Sequence, residues 1–446
     1  MPYPMTESTT ATKLTLITKR STEKPQEKFT SLIHHLNDVA FLHGCYLELK
    51  NGKAPGLDHR TKESYTEEEI KGAIAEVIAK LKQKRYRPQP VKRVYIAKAN
   101  GKQRPLGLPT VTDKIVQLGM KKILEAIFEP AFLGCSYGFR PNRGCHQAIK
   151  AGYRMIMTKP VNWIIDVDVE SFFDTVDHRW LMKCVTQKVN DPNFNRLIIR
   201  FLKAGVVEEG VRRETEQGTP QGGILSPLLA NIYLHYVLDL WFERVEKRQV
   251  QGYGELIRYA DDFIIGAQTR EEAEQILADL RTRFQKFNLV LSPEKTTIIE
   301  FGRFARENRR KRGERTPDAF DFLGFTHYCS TSQKGNFLVK YKTADTRSRK
   351  HRKDMNQWLK STRNRLKLKV IWKLLAAKLR GHYQYYGISS NIASINAHYY
   401  WTQRLTFKWL NRRSQKQSFN WTTFAQYLTR YPLPTPALAF NLYDIW

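Results

Sequence analysis

Two carboxylates stand side by side in Tyr259-Ala260-Asp261-Asp262, between the apolar runs 255–259 and 263–267. That pattern predicts a hairpin with both acids at its tip. Each carboxylate disfavours ionisation of the other, and a bound divalent cation removes that cost. An acidic surface turn has the same composition, because Asp is common in turns. A second acidic run favours the cation. Asp166, Asp168, Glu170 and Asp174 follow one another where the apolar stretch 161–167 ends. Asp166 and Asp168 share one face of a regular strand, and unpaired charge on a buried strand is expensive. Two strands distant in sequence that deliver carboxylates to one spot can build a two-metal site. Its ions sit about 3.5–4 Å apart and clamp the attacking and leaving oxygens of phosphoryl transfer.

The elements that must position these acids are readable from patterning. The nearly continuous apolar run 161–167 predicts a buried strand. Strands at 255–259 and 263–267 flank the acidic tip, and residues 224–245 carry Leu225, Leu228, Leu229, Ile232 and Tyr236 at helical spacing. Thr66 with Glu69, and Thr269 with Glu272, form capping boxes. The first opens a helix with Ile70, Ile74, Val77, Ile78 and Leu81 on one face, stopped by Pro88; the second opens a helix to Phe287. A strand near 91–97 and its partner carrying Arg104 meet at the turn signal Asn100-Gly101. Residues 1–28 read as a disordered lead-in, and an amphipathic stretch runs from Phe29 to Leu49. A basic insert at 303–315 holds seven Lys/Arg, and reads equally as an RNA-contacting loop or a disordered one.

Composition narrows the partner. The 446 residues carry a formal net charge of +31, which opposes compaction unless a polyanion relieves it. Nucleic acid is the first candidate and an acidic membrane surface the second. No run of apolar residues is long enough to span a membrane, and the N-terminus has no secretory pattern. The expected location is cytoplasmic and nucleoprotein-associated. The five cysteines form no C-x-x-C pair, which argues against a zinc ribbon or a disulfide scaffold. Residues 340–446 hold 21 Lys/Arg against three acids, with six of the nine tryptophans. Interleaved cations and aromatics suit phosphate tracking and base stacking, and suit equally a basic helical bundle with an aromatic core.

The blocks resemble those of group II intron-encoded reverse transcriptases. Tyr259-Ala260-Asp261-Asp262 resembles their Y-x-D-D box, and the segment from Asp168 to Asp174 their first palm motif. The run from Gln217 to Pro227 is similar to their nucleotide-pocket block. Ser136-Tyr137-Gly138-Phe139-Arg140-Pro141, Leu291 to Thr296, and Arg380 to Gly387 fit the same family, in collinear order over about residues 30–440. The resemblance implies an α+β right-hand polymerase with an N-terminal extension and a helical thumb. It implies a lead-in at 1–28, an extension and the start of the fingers at 29–65, fingers and palm at 66–338, and a thumb or maturase region at 339–446. Asp168, Asp261 and Asp262, helped by the Val169 carbonyl, would hold two Mg²⁺ ions, with Mn²⁺ able to substitute. Lys98, Arg104, Phe173 and Gln221 would bind the dNTP, with Phe173 gating the sugar. An ordinary core Phe fits position 173 as well. Phe322-Leu323-Gly324-Phe325 matches the primer grip, although by composition it is a strand with a Gly. Lys360, Arg363, Arg365 and Arg380 would bind RNA, and Asp166, Glu170 and Asp174 are supporting or solvated acids.

The implied partners are an RNA template, a DNA or RNA primer, dNTPs, the protein's own intron RNA and a DNA target. The implied roles are cDNA synthesis, splicing assistance and retrohoming. A domesticated free-standing relative in defence or repair, and a maturase that only binds RNA, are the alternatives. The intact aspartates argue against the second. The chain ends soon after the thumb without paired cysteines, which resembles the compact branch that lacks an endonuclease.

Overall fold

The computed structural model describes residues 9–97, 103–214, 216–219, 222–314, 316–413, 415 and 418–444. Its strands are β1 Val91–Ala97, β2 Gln103–Leu108, β3 Trp163–Asp168, β4 Val206–Glu208, β5 Val211–Arg213, β6 Gly254–Tyr259, β7 Asp262–Ala267, β8 Thr297–Glu300, β9 Ala319–Phe322, β10 Phe325–Thr331 and β11 Phe337–Thr343. They pair into three sheets, ordered β2-β1-β4-β5, β6-β7-β3-β8 and β11-β10-β9. The predicted turn Asn100-Gly101 lies outside the described residues, but β1 and β2 pair antiparallel around it.

The central sheet β6-β7-β3-β8 is antiparallel throughout and covered on both faces. Side chains alternate along a strand, so one strand serves two cores. Ile165 and Val167 of β3, with Phe263 and Ile265 of β7, join one apolar cluster with Ala273, Ile276, Leu280 and Phe284 of the helix Arg270–Lys286. Ile164, Ile257 and Ile264 join a second, with Ala148, Ile149 and Ile156 of the helix Cys145–Thr158. This double burial is why β3 reads as an unbroken apolar run.

Both capping boxes form, at Thr66–Glu69 and Thr269–Glu272. The five expected core positions of the helix Glu67–Lys82 are all buried. That helix stops before Pro88, because Lys84 turns the chain at φ +59°. The expected lead-in needs correction: Thr9–Glu23 is a helix. Ile17 is buried, and the Ser21 hydroxyl donates to the Ile127 carbonyl at 2.6 Å and accepts from Lys188 Nζ at 3.0 Å. Too few apolar residues mark this contact for periodicity to reveal it.

The basic insert forms a helix at Ala305–Lys311. Arg309 and Arg312 pair with Glu300, Glu314 and Asp318, which ties part of its charge to the protein itself; Arg315 lies outside the described residues. Phe322-Leu323-Gly324-Phe325 is a two-residue hairpin turn rather than a strand with a Gly. Phe322 pairs with Phe325, and Leu323 and Gly324 both have positive φ, +51° and +82°, as a tight turn between twisted strands requires. Beyond β11 the chain is helical at Asp345–Thr362, Leu368–Tyr386, Ile392–Leu410 and Trp421–Arg430. Leu375 and Leu379 of these helices share the second apolar cluster with the central sheet. Among the described residues no helix is long and apolar enough to cross a membrane.

Candidate active site

The register of β3 against β7 sets Asp168 directly opposite Asp262. β6 and β7 close around a two-residue turn, with Tyr259 paired to Asp262 and Ala260-Asp261 between them. Residues directly opposite in an antiparallel pair have Cβ atoms about 4.5–5.5 Å apart. The two acidic segments, some ninety positions apart in sequence, therefore meet at one end of one sheet. Val169 is buried beside them and bridges to Leu291, while Ser292 N donates to the Asp168 carbonyl at 2.8 Å.

Charge here is crowded and poorly solvated. Burial, reinforced by Asp166, Asp261 and Asp168, pushes the Asp262 carboxyl up to about 8. Burial and the neighbouring Asp168 and Asp321 push Asp166 up to about 7. Burial also raises Asp261. Asp168 is held by Lys295 instead, whose Nζ lies 2.8 Å from Oδ2. Among the described residues no three acidic, imidazole or thiol groups are drawn close enough to hold an ion without rearrangement. The donor set nonetheless suits a divalent cation: oxygen ligands, half-buried and opposed in register.

The expected nucleotide-side residues are partly placed. Lys98 and Gln221 lie outside the described residues. Arg104 is exposed on β2, and its charge lowers the Asp261 carboxyl, which brings the first sheet electrostatically to the site. Phe173 is half-buried and packs edge-on against the buried Phe172, ring centroids 5.4 Å apart. Thr219 N donates to the Phe173 carbonyl at 2.7 Å, and Gly218 N to the Val176 carbonyl at 2.8 Å. These bonds seat the Gln217–Thr219 stretch against the first acidic motif. A Cβ on Gly222 would lie 2.6 Å from the Gly107 carbonyl, so the same block also touches β2.

The Phe322–Phe325 turn docks on the C-terminal helices. The Tyr385 hydroxyl donates to the Leu323 carbonyl at 3.0 Å, and Phe325 stacks on the Tyr385 ring at 5.8 Å. Lys360, Arg365 and Arg380 are exposed on those helices or just beyond them. Arg363 differs: it is half-buried, with its guanidinium 4.6 Å from the Trp409 ring. Sequence reasoning did not single out Arg347. It lies beside Gly324, and its charge opposes the upward shift of Asp262. The one signal in the sequence was its place in the first turn of a helix, where the macrodipole disfavours a cation. Lys295 and Tyr385 sit inside recognised blocks and carried no role of their own.

The family model described as reverse transcriptase (RNA-dependent DNA polymerase) matches residues 96–327. The group II intron-encoded protein LtrA of Lactococcus lactis subsp. cremoris is 36% identical over 351 residues, covering 65% of this chain and 58% of LtrA. Protein YkfC of Escherichia coli K12 is 37% identical over 244 residues, 48% of this chain and 64% of that protein. The mitochondrial nuclear intron maturase 4 of Arabidopsis thaliana is 31% identical over 144 residues, 32% of this chain and 18% of that protein. The chain thus spans less than two thirds of the length of these curated relatives. The matched region encloses both strands that bear the opposed aspartates; the chain is similar to group II intron-encoded proteins and belongs to the reverse transcriptase family.

Proposed function

We propose that the chain is an RNA-directed DNA polymerase that extends a primer 3′-OH with dNTPs on an RNA template, and that it also binds intron RNA as a splicing maturase supporting retrohoming into a DNA target. The observation that carries the reading is Asp168 opposite Asp262, with Asp261 in the adjoining turn. In this reading residues 66–338 are fingers and palm, 29–65 an N-terminal extension and the start of the fingers, and 339–446 a helical thumb or maturase domain. The net charge of +31 suits a nucleoprotein particle in the cytoplasm.

Asp168, Asp261 and Asp262, with the Val169 carbonyl, would hold two Mg²⁺ ions, or Mn²⁺ in their place. Such ions neutralise the charge that develops on the transferred phosphoryl group and on the pyrophosphate. The protein's share is placement, the main resource in phosphoryl transfer. Arg104, with Lys98 and Gln221, would hold the triphosphate and sugar. The Phe173 ring would stand where a ribose 2′-OH projects. The Leu323-Gly324 turn, braced by Tyr385, would hold the primer end, with Arg347 between it and Asp262. Lys360, Arg365 and Arg380 would track RNA phosphates from the thumb. The test is primer extension on an RNA template with Mg²⁺ and dNTPs. Extension that Asp262→Asn abolishes is expected. No extension by the folded protein, or equal extension by the variant, overturns the reading.

A further inference from the structure

Arg258 is wholly buried one residue before Tyr259, and the chemistry above does not use it. Its side chain runs beneath the catalytic turn. Nη1 donates to the Ala260 carbonyl and to Asn231 Oδ1, each at 3.0 Å. Nη2 donates to Ser136 Oγ at 2.8 Å, and Nε and Nη2 form a fork on the two Asp239 oxygens at 2.6 Å. Asp239, Asn231 and Ser136 are themselves buried. Asn231 Nδ2 also donates to the Gly138 carbonyl at 2.7 Å. A Cβ on Gly138 would lie 2.5 Å from Ala260 N. The turn is therefore gripped from below by one guanidinium and from the side by the segment that contains Gly138.

Two features show that this grip is built rather than incidental. Ala260 sits at φ +59°, a conformation that residues with a side chain rarely adopt and that neighbours must enforce. The Arg258 bond falls on its carbonyl. Asn231 and Asp239 are also eight positions apart on one helix, and an unbroken α-helix would point them about 80° apart. The π-helical turn His235–Asp239 takes up about one residue's rotation and brings both onto one face, toward Arg258. A buried ion pair is a poor stabiliser compared with apolar side chains of equal bulk. A role in stability alone does not explain a helix distorted to complete one.

We propose that the Arg258–Asp239 pair, with Asn231 and Ser136, is a positioning device. It locks the Ala260-Asp261 turn and so sets where Asp261 and Asp262 stand against Asp168. The inference rests on the polymerase reading for its meaning but is testable without it. Two variants are compared with wild type. Arg258→Met combined with Asp239→Leu replaces the pair by apolar groups. Arg258→Lys keeps the charge and loses the fork. Melting and RNA affinity are expected to stay near wild type, as is the KM for dNTP. The kcat should fall about tenfold or more, as for an interaction that matters only in the transition state. Mn²⁺ titrated into the protein alone and followed by electron paramagnetic resonance should bind about fivefold or more weakly. Either folded variant keeping both kcat and Mn²⁺ affinity within about twofold would overturn the proposal. Failure of both variants to fold would overturn it too, since the pair would then be a structural necessity. If wild type extends no primer, the polymerase reading falls while the Mn²⁺ titration still decides this one.

Discussion

The aspartate-bearing end of the central sheet and the C-terminal helices treat charge in opposite ways. At the sheet, Asp166, Asp168, Asp261 and Asp262 crowd like charges into a half-buried space, and burial lifts three of them. In the helices the cations are spread over solvent-facing positions or laid on aromatic rings. Arg352 lies 4.5 Å from the Trp401 ring, and Lys378 lies 4.9 Å from that of Trp358. The sheet end gathers negative charge that, in the proposed reading, a divalent cation would balance. The helices bury an apolar core of their own side chains, and in the proposed reading their exposed cations would meet a polyanion. A substitution should thus trade stability for function at the first region and affect salt response at the second.

The largest effect is expected from Asp262→Asn. Loss of several kcal/mol of metal-dependent stabilisation should cut cDNA synthesis on the order of 10³-fold or more. RNA affinity should stay within a few-fold, and the melting temperature should rise because an ionisable group penalised by burial and by neighbouring carboxylates is removed. A fall in melting temperature would break the comparison. The second effect concerns sugar choice. Phe173→Ala should raise the kcat/KM for rNTPs relative to dNTPs by about tenfold or more. An unchanged ratio in a folded variant would return Phe173 to the core alongside Phe172.

The third effect is on salt dependence. Replacing Lys360, Arg363 and Arg365 with Gln should flatten the log–log slope of RNA binding by about 0.7–0.9 for each phosphate no longer neutralised. Because Arg363 is committed to Trp409, Lys360 and Arg365 should account for most of that change. Arg363→Gln alone should lower the melting temperature instead. A slope identical to wild type would mean that these cations only face solvent.

The smallest effect is on stability against pH. His351, His382 and His398 meet between three of the C-terminal helices, with His382 and His398 stacked at 3.7 Å. Burial, with the neighbouring imidazoles, lowers His382 to about 2 and His398 to about 4. Their folded values lie below the ordinary 6.5, so below that pH the unfolded chain binds more protons. The stability present above pH 6.5 should therefore be lost as pH falls toward 4, by about 1–3 kcal/mol. His398→Phe should shrink the difference between melting temperatures at pH 7 and pH 5. An unchanged difference would show that His398 binds protons alike in the folded and the unfolded chain.

Legibility in the sequence followed locality. Capping boxes involve residues three apart, and Thr66–Glu69 and Thr269–Glu272 form as written. The apolar run into Asp168 gave its strand, because burial on two faces leaves no alternation to mislead. The acidic pair at 261–262 was legible as chemistry, and its meeting with Asp168 was implied by the family resemblance, but the register that sets Asp168 opposite Asp262 leaves no periodic trace. The Leu323-Gly324 turn was missed because Leu at φ +51° has no signature. The π-helical turn at 235–239 was missed because its reason, Arg258, lies on another strand. The helix Thr9–Glu23 was missed because it is anchored largely by Ile17 and Ser21.

The double burial of the central sheet also bears on how such a protein can be taken apart. Ile164 of β3 and Ile264 of β7 belong to the same apolar cluster as Leu375, Leu379 and Ile395. The C-terminal helices are therefore not an appendage on a finished enzyme. Cutting the chain near residue 345 would bare the part of that shared cluster to which Leu375, Leu379 and Ile395 belong. Exchanging this part between relatives would succeed only where the isoleucines of one parent fit the leucines of the other. Recombination among such proteins should respect that seam, and inheritance of the helices should track inheritance of the strands beneath them.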